Sequence, residues 1–510
     1  MTTSQPAPSS ANDPVQAFLE AQRAAGCELH SLTVVRAGER LVEFAVAPWT
    51  MERASLVYSM SKTFTSAAFG IARDRGLLSE NDLLVDLFSE VVDDRVGPKA
   101  RTITLGHCLA MASGHTFDTI ELFQGRWTLD ASGIGDFLRH EPEGTPGEAF
   151  CYNQLCTYAV ALAVARATGR SVHTLMREEV LDKLDCDPSH WTSDPDGNAY
   201  GFSGNHVSPR TLASFIGLVA NGGVAVGGPH GGEQLLPTSW IQEYATKRVD
   251  NSPGNPDPVN SDWAQGYGWQ VWLGRDGGHR ADGAYGQYGL IWPDQKLAVV
   301  ITSIAPDMQV TIDQVRQLLL PALDRLEAPT EPVAVEVPSG SSAFAGWSGT
   351  ITDHGTATVQ PTDGGWLLQW DDADGGHHRI PIGHGEWSDT ELTWPDATLA
   401  VSAAGATDDA GVLHVRLACP NTPHSVLLDV PAGDGEATFA WTTQPLGQNT
   451  LRGISLPDGC ADLTVADNRE ERAACRSGRS AGPVNEPRFA PEHDGGNQEK
   501  RRQHQADRAG

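Results

Sequence analysis

The 510-residue sequence contains no run approaching the ~18 consecutive apolar residues that a membrane-crossing helix needs. Its start, MTTSQPAPSSANDPVQ, has no basic stretch followed by an apolar one. No secretory signal is therefore read, and a cytoplasmic location is expected. Positive charge is also short, with 36 Lys and Arg against 65 Asp and Glu and a net charge of −29. A phosphate backbone or an anionic membrane surface wants a basic stripe, so neither nucleic acid nor membrane is an expected partner. The acidity reads as a means of staying in solution. None of the eight cysteines, at 27, 108, 151, 156, 186, 419, 460 and 475, forms a Cys-x-x-Cys pair. They suggest neither a zinc site nor a disulfide framework, and read as small reduced core residues. The nearest approach to His-Glu-x-x-His is His140-Glu141-Pro142-Glu143-Gly144, which fails, so no metal and no cofactor is expected. No Gly-x-Ser-x-Gly elbow joins a strand pattern to a helix pattern, which argues against an α/β-hydrolase. Repeats of solenoid length are missing too.

What is present is an ordinary globular composition, 40% hydrophobic and 20% charged, in a chain long enough for two or three domains. Residues 1–12 are polar and read as disordered. LTVVRAGERLVEFAV (32–46) reads as two strands about Ala37-Gly38-Glu39. In the segment that follows, Phe64, Ala67, Ala68 and Ile71 recur at helical spacing, and Gly76 offers a stop. QLCTYAVALAVARAT (154–168) and LASFIGLVANGG (212–223) are further helices. GYGWQVWL (266–273) and YGLIWPDQKLAVVITS (288–303) read as strands, and 308–326 as a helix interrupted by Pro321. Strands at both ends with helices between predict an α+β architecture: one antiparallel sheet assembled from distant segments, flanked by helices, with an all-α lobe. This domain is expected over 13–327. A linker follows at 328–343, then a small antiparallel β domain, barrel-like, at 344–460, and a polar disordered tail at 465–510. His377-His378 falls in a turn-rich β segment and reads as exposed rather than ligating.

Ser59 and Lys62 form the chain's one Ser-x-x-Lys, at the start of the first helix after the strands. Three residues apart on a helix, they share a face, opposite the Phe64/Ala68/Ile71 stripe. A serine hydroxyl is a weak nucleophile until a base takes its proton. A lysine can be that base where burial disfavours its charge. Free N–H groups at the helix start favour an oxyanion. The tetrapeptide alone is weak evidence, since chance supplies about one in a chain this long.

Four segments carry a more specific signal. SMSKTFTSAAFGIARDRGLLSENDLLVDLFSE (59–90) resembles the active-site helix of the β-lactamase-related serine hydrolases, the class C β-lactamase and penicillin-binding-protein type. ITLGHCLAMASGH (103–115), TPGEAFCYNQLCTYAVALAVARATG (145–169), and GYGWQVW with RADGAYGQYGLIWPDQKLAVVITS (280–303) are similar to later segments of that family, in its order. The ending Ala281-Asp282-Gly283-x-x-Gly286-Gln287 most resembles the branch of 6-aminohexanoate-dimer hydrolases and related esterases. The resemblance implies a β-lactamase/transpeptidase-like fold and an acyl-enzyme on Ser59. Lys62 and Tyr152 would serve as general base and acid. The backbone N–H groups of Ser59 and Ala284 would form the oxyanion hole, with Gly283 letting its strand approach. His115, Tyr267 and Trp269 could border the site or simply pack. Pocket walls are expected from loops 115–150 and 225–265.

The pattern is imperfect. The family's Tyr-x-Asn is here Tyr152-Asn153-Gln154, so Gln154 takes the amide position and Asn153 is the alternative. Its Lys-Thr-Gly is here Ala281-Asp282-Gly283, without the cation that holds a penicillin carboxylate. Arg280 is adjacent but alternates to the other face from Ala281. Three functions stay open: hydrolysis of small esters or amides, β-lactam or D-peptide cleavage, and a non-catalytic binding protein. The substrate is expected to be a small molecule; the oligomeric state is not legible.

Overall fold

The computed structural model describes residues 13–123 and 132–457. The predicted disordered ends, with Cys460 and Cys475, lie outside the described residues, as does part of the expected wall loop 115–150.

Strands β1 (Glu28–Arg36) and β2 (Glu39–Ala47) form a hairpin whose two turn residues, Ala37 and Gly38, both have positive φ. That is the turn whose twist suits a tight hairpin. Far along the chain come β3 (Trp272–Leu273), β4 (His279–Gly283), β5 (Gln287–Trp292) and β6 (Leu297–Ile304). A short β7 (Val333–Ala334) completes one sheet of order β7-β2-β1-β6-β5-β4-β3. All neighbours are antiparallel except β7 on β2. The segment read as a linker thus contributes an edge strand.

Period-two alternation splits the sheet between two cores. On β6, Leu297, Val299 and Ile301 join Phe18 of the helix α1 (Pro14–Ala24) and Ile312 and Leu319 near the chain's next helical segment. Ala298 and Val300 face the opposite core, with α2 (Ser61–Asp74), α3 (Gln154–Thr168) and α4 (Pro209–Ala220). Asn153 caps α3 and Gly169, at φ +67°, ends it.

One local expectation fails. Residues 266–271 are not strand; only Trp272–Leu273 is. Instead the carbonyls of Trp269 and Gln270 accept the hydroxyls of Ser66 and Thr63. For the same reason α2 has no solvent face: every residue from Ser61 to Ala72 is buried. Its polar stripe satisfies itself on loop backbone rather than on water.

Ten strands between Trp347 and Pro457 form a second sheet. The short alternating runs TATVQ, WLLQW, LHVRLA, SVLLDV and ATFAWT all lie in or on its strands. The sheet rolls up: Ala437 N–H donates to Thr350 O and Thr352 N–H to Ala437 O, joining its first strand to the start of its last long one. Trp366, Leu368, Trp370, Ile380, Val415 and Leu428 fill the interior. His377 is exposed as expected, but His378 is buried against Asp372, Trp370 and Trp394. Neighbours on a strand face opposite ways, so the pair could not share one fate.

The barrel leans on the first domain beside the segment that leads to Ser59. Leu56 N–H donates to Asn421 O, Asn421 Nδ2 to Ala54 O, and Trp49 Nε1 to Thr422 O. Arg416 pairs with Glu28. Among the described residues no helix is long and apolar enough to cross a membrane, and the six described cysteines are free thiols.

Candidate active site

Ser59 sits in a single 3₁₀ turn, Tyr58–Met60, that runs into α2. The turn follows a short strand, Ser55–Leu56, and Tyr58 has φ +48°. This sharp entry leaves Ser59 half-buried while its neighbours Tyr58 and Met60 are buried.

Lys62 is 1% exposed. Its Nζ lies 3.1 Å from Ser59 Oγ, 2.7 Å from Gln154 Oε1 and 2.9 Å from the Phe202 carbonyl. It also stands 4.6 Å over the Tyr152 ring. Burial brings its pKa from 10.5 down to about 7, against the opposing pull of Asp118 and Asp282. A lysine neutral at that pH keeps two N–H groups for Gln154 and Phe202 and turns its lone pair to Ser59.

Tyr152 precedes α3 and belongs to a ring cluster, stacked on Trp272 and edge-on to Tyr267. Burial dominates its surroundings and pushes its pKa well above the ordinary 10, with Ser59 opposing. At neutral pH it is therefore a phenol, able to donate. Gln154 meets Lys62. Asn153 turns the other way: its Oδ1 accepts from Leu155 N–H and the Thr119 hydroxyl, and its Nδ2 reaches Phe117 O. The amide alternative falls on Gln154 because the N-cap consumes Asn153.

On β4, Gly283 comes so close to the segment preceding Ser59 that a Cβ there would lie 2.3 Å from Val57 O. Half-buried Ala284 follows it. Gln287 is buried and braces this turn, with Nε2 on the Ala284 and Ser303 carbonyls. Asp282 is buried and bonded by Arg280 Nε at 2.9 Å. Two residues apart on a strand, they share a face, and the Arg280 guanidinium packs over Trp263 and Trp272. Burial raises the Asp282 pKa, with Arg280 opposing.

Other candidates pack. His115 is held between the Ser113 hydroxyl and His140 O, and Trp269 lies among Phe69, Arg73 and Arg248. Asp118 and the Phe202 carbonyl were not anticipated. Asp118 accepts from the N–H groups of Gln154 and Ile120, anchoring the residue that holds Lys62. Gly201 and Gly204, both at positive φ, bracket Phe202 and were the available signal for a tight turn there. Among the described residues no cluster of three His, Cys, Asp or Glu could hold a metal ion. One Gly-x-Ser-x-Gly string does occur, at Gly478 to Gly482, outside the described residues.

With this geometry in place, the chain was compared with known proteins. The family model for Beta-lactamase matches residues 15–319. A Bacillus anthracis protein described as a 6-aminohexanoate-dimer hydrolase superposes with a TM-score of 0.51 at 17% identity, over 60% of this chain and 82% of that one. A D-stereospecific amidohydrolase from Streptomyces sp. gives 0.46 at 18% identity, over 60% of this chain and 98% of the other. A class C β-lactamase from Rhodobacter sphaeroides gives 0.45 at 15%, over 60% and 99%. No curated protein matches the chain.

Proposed function

The chain belongs to the β-lactamase family, and from that premise we propose that it is a serine hydrolase acting through an acyl-enzyme on small esters or amides. The observation that carries the reading is the buried Lys62 amine, 3.1 Å from Ser59 Oγ with a pKa lowered to about 7. Neutral Lys62 takes the Ser59 proton as Oγ adds to the substrate carbonyl. The N–H groups of Ser59 and Ala284 receive the resulting oxyanion, as Gly283 brings its strand against Val57. Tyr152, kept a phenol by burial, gives its proton to the leaving group and is reprotonated through Lys62. Water then releases the acyl group by the reverse path.

The small-substrate reading is favoured over β-lactams by Ala281 and Asp282. Where the family's third motif has its lysine, this chain has Ala281, a buried methyl group, and the neighbouring Asp282 is already paired with Arg280 on the other strand face.

The test uses p-nitrophenyl acetate and a fluorophosphonate probe on the wild type and Ser59→Ala. Turnover and a single mass adduct are expected in the wild type and neither in the variant. Equal behaviour of the two proteins would remove Ser59 as nucleophile and promote a binding role.

A further inference from the structure

We infer that His424, carried by the barrel, is a positioning residue for the oxyanion-binding backbone beside Ser59. The inference rests on the reading of Ser59 as nucleophile and adds a role for the second domain.

The two N–H groups assigned to the oxyanion adjoin two tyrosines. Tyr58 precedes Ser59, and Tyr285 follows Ala284. Both tyrosines have left-handed backbones, at φ +48° and +66°. Such a conformation is rare for a bulky side chain and persists where the surroundings over-determine it.

The Ser61 hydroxyl and the Ala305 N–H hold the two tyrosine carbonyls, and the barrel holds their side chains. Buried His424 reaches Thr443 O through Nδ1 at 2.9 Å and the Tyr58 hydroxyl through Nε2. A carbonyl only accepts, so Nδ1 carries the proton, and the Tyr58 O–H donates to Nε2. Both imidazole nitrogens are thereby committed. Tyr285 O–H donates to Gln444 O at 2.6 Å. The rings close the triangle: Tyr58 to Tyr285 at 5.3 Å, Tyr285 to His424 at 5.1 Å and Tyr58 to His424 at 5.8 Å, all edge-on.

Rotation about ψ of Tyr58 would swing the Ser59 N–H, and a shift of Tyr285 would drag Ala284, the residue it follows. Gly283, fitted against Val57 O, already sets the distance between the two backbone segments. His424 then sets their orientation. Elsewhere the domains are joined without it, through Arg416–Glu28 and Trp49–Thr422. Its place against both tyrosines is therefore not needed merely to hold the barrel on.

The test uses the full-length chain with His424→Leu, His424→Gln and Tyr58→Phe. kcat and KM for p-nitrophenyl acetate, affinity for a phenylboronic acid, fluorophosphonate labelling and Tm are measured. A boronic acid bound to serine oxygen mimics the tetrahedral state, so its affinity reports the oxyanion site. His424→Leu and Tyr58→Phe are each expected to lower kcat about 10- to 100-fold, with KM within about twofold. Boronate affinity should fall in step with kcat/KM, and Tm should stay within about 3 °C. His424→Gln can accept from Tyr58 and donate to Thr443 O, and should restore most of kcat.

A kcat within twofold of wild type in both His424→Leu and Tyr58→Phe, with Ser59 still labelled, overturns the inference and leaves the hydrolase reading standing. So does a fall in kcat with boronate affinity unchanged. Wild-type protein that neither turns over nor labels at Ser59 overturns both. If His424→Leu loses its folded transition, Tyr58→Phe, which removes a single oxygen, decides alone.

Discussion

The proton path can be interrogated by titrating kcat/KM against pH for the wild type and for Asp118→Asn. At pH 7, a lysine of ordinary pKa 10.5 is neutral in roughly one molecule in 3,000, whereas one at about 7 is neutral in roughly half. The net effect of its surroundings thus disfavours the charged amine by about 5 kcal/mol, which is what the proposed base role requires. With Lys62 required neutral, kcat/KM should climb about tenfold between pH 6 and pH 8 and level off above, since this quantity reports the free enzyme. Asp118 and Asp282 both favour the charged lysine. Removing the Asp118 charge should therefore move the rising limb to lower pH, so that the variant keeps more of its own plateau at pH 6. Asparagine can still accept from the Gln154 and Ile120 N–H groups, which keeps the anchor. The nearby histidine His424 titrates around 4 and does not supply a limb near 7. A flat profile from pH 6 to 8 in an active enzyme would refute Lys62 as base. A limb that stays put or moves up in Asp118→Asn would refute the electrostatic account.

Gly283→Ala places a methyl group 2.3 Å from Val57 O, a backbone atom that cannot step aside. It should lower kcat/KM at least about 100-fold and cost about 1–3 kcal/mol in a denaturant melt; near-wild-type activity would mean the two segments are not held at contact. Gln154→Asn withdraws the oxygen that sits 2.7 Å from Lys62 Nζ, and kcat should fall about tenfold. An unchanged kcat would show that the extra methylene is not matched to Lys62. Glu28 is half-buried, which alone would raise its pKa, but His30 and Arg416 bring it from 4.5 down to about 2. Its stabilising contribution is thus whole above pH 4.5 and lost as pH falls toward 2. Glu28→Gln should lower Tm at pH 7, by about 2–3 kcal/mol in stability, and the gap from wild type should close on acidification. A gap independent of pH would place the effect in packing instead.

The parts of the fold that could be read from the chain are those whose cues are local. Ala37-Gly38 between two β-rich runs yields the hairpin. Gly169 after a 15-residue helical pattern yields the end of α3, and alternation in WLLQW and LHVRLA yields barrel strands. The failure over residues 266–271 has a distant cause. WQVW alternates like a strand, yet its carbonyls are taken by Ser66 and Thr63 of α2. Those same contacts bury the side of α2 that its polar residues mark as wet. Each segment misleads when read alone, because each is the other's hydrogen-bond partner across some 200 residues of sequence. The helix α1 did carry a local cue, Asp13-Pro14, as N-cap and first helical residue.

At the site the same divide separates side chains from backbone. Ser59, Lys62, Tyr152 and Gln154 are reachable by spacing and resemblance, because the chemistry demands particular functional groups at particular places. The acceptor on Phe202 is a carbonyl, which any residue could supply, and only the flanking glycines hint at it. Asp118 acts through the N–H of Gln154, so nothing in its own neighbourhood marks it. His424 is the extreme case, 366 residues from the tyrosine it holds. A left-handed tyrosine ahead of Ser59 is unfavourable by itself; the Ser61 hydroxyl steadies its carbonyl, but its side chain is held from a different domain. A barrel that a motif search would set aside as an appendage is, on this geometry, what keeps the strained turn in the shape its chemistry needs.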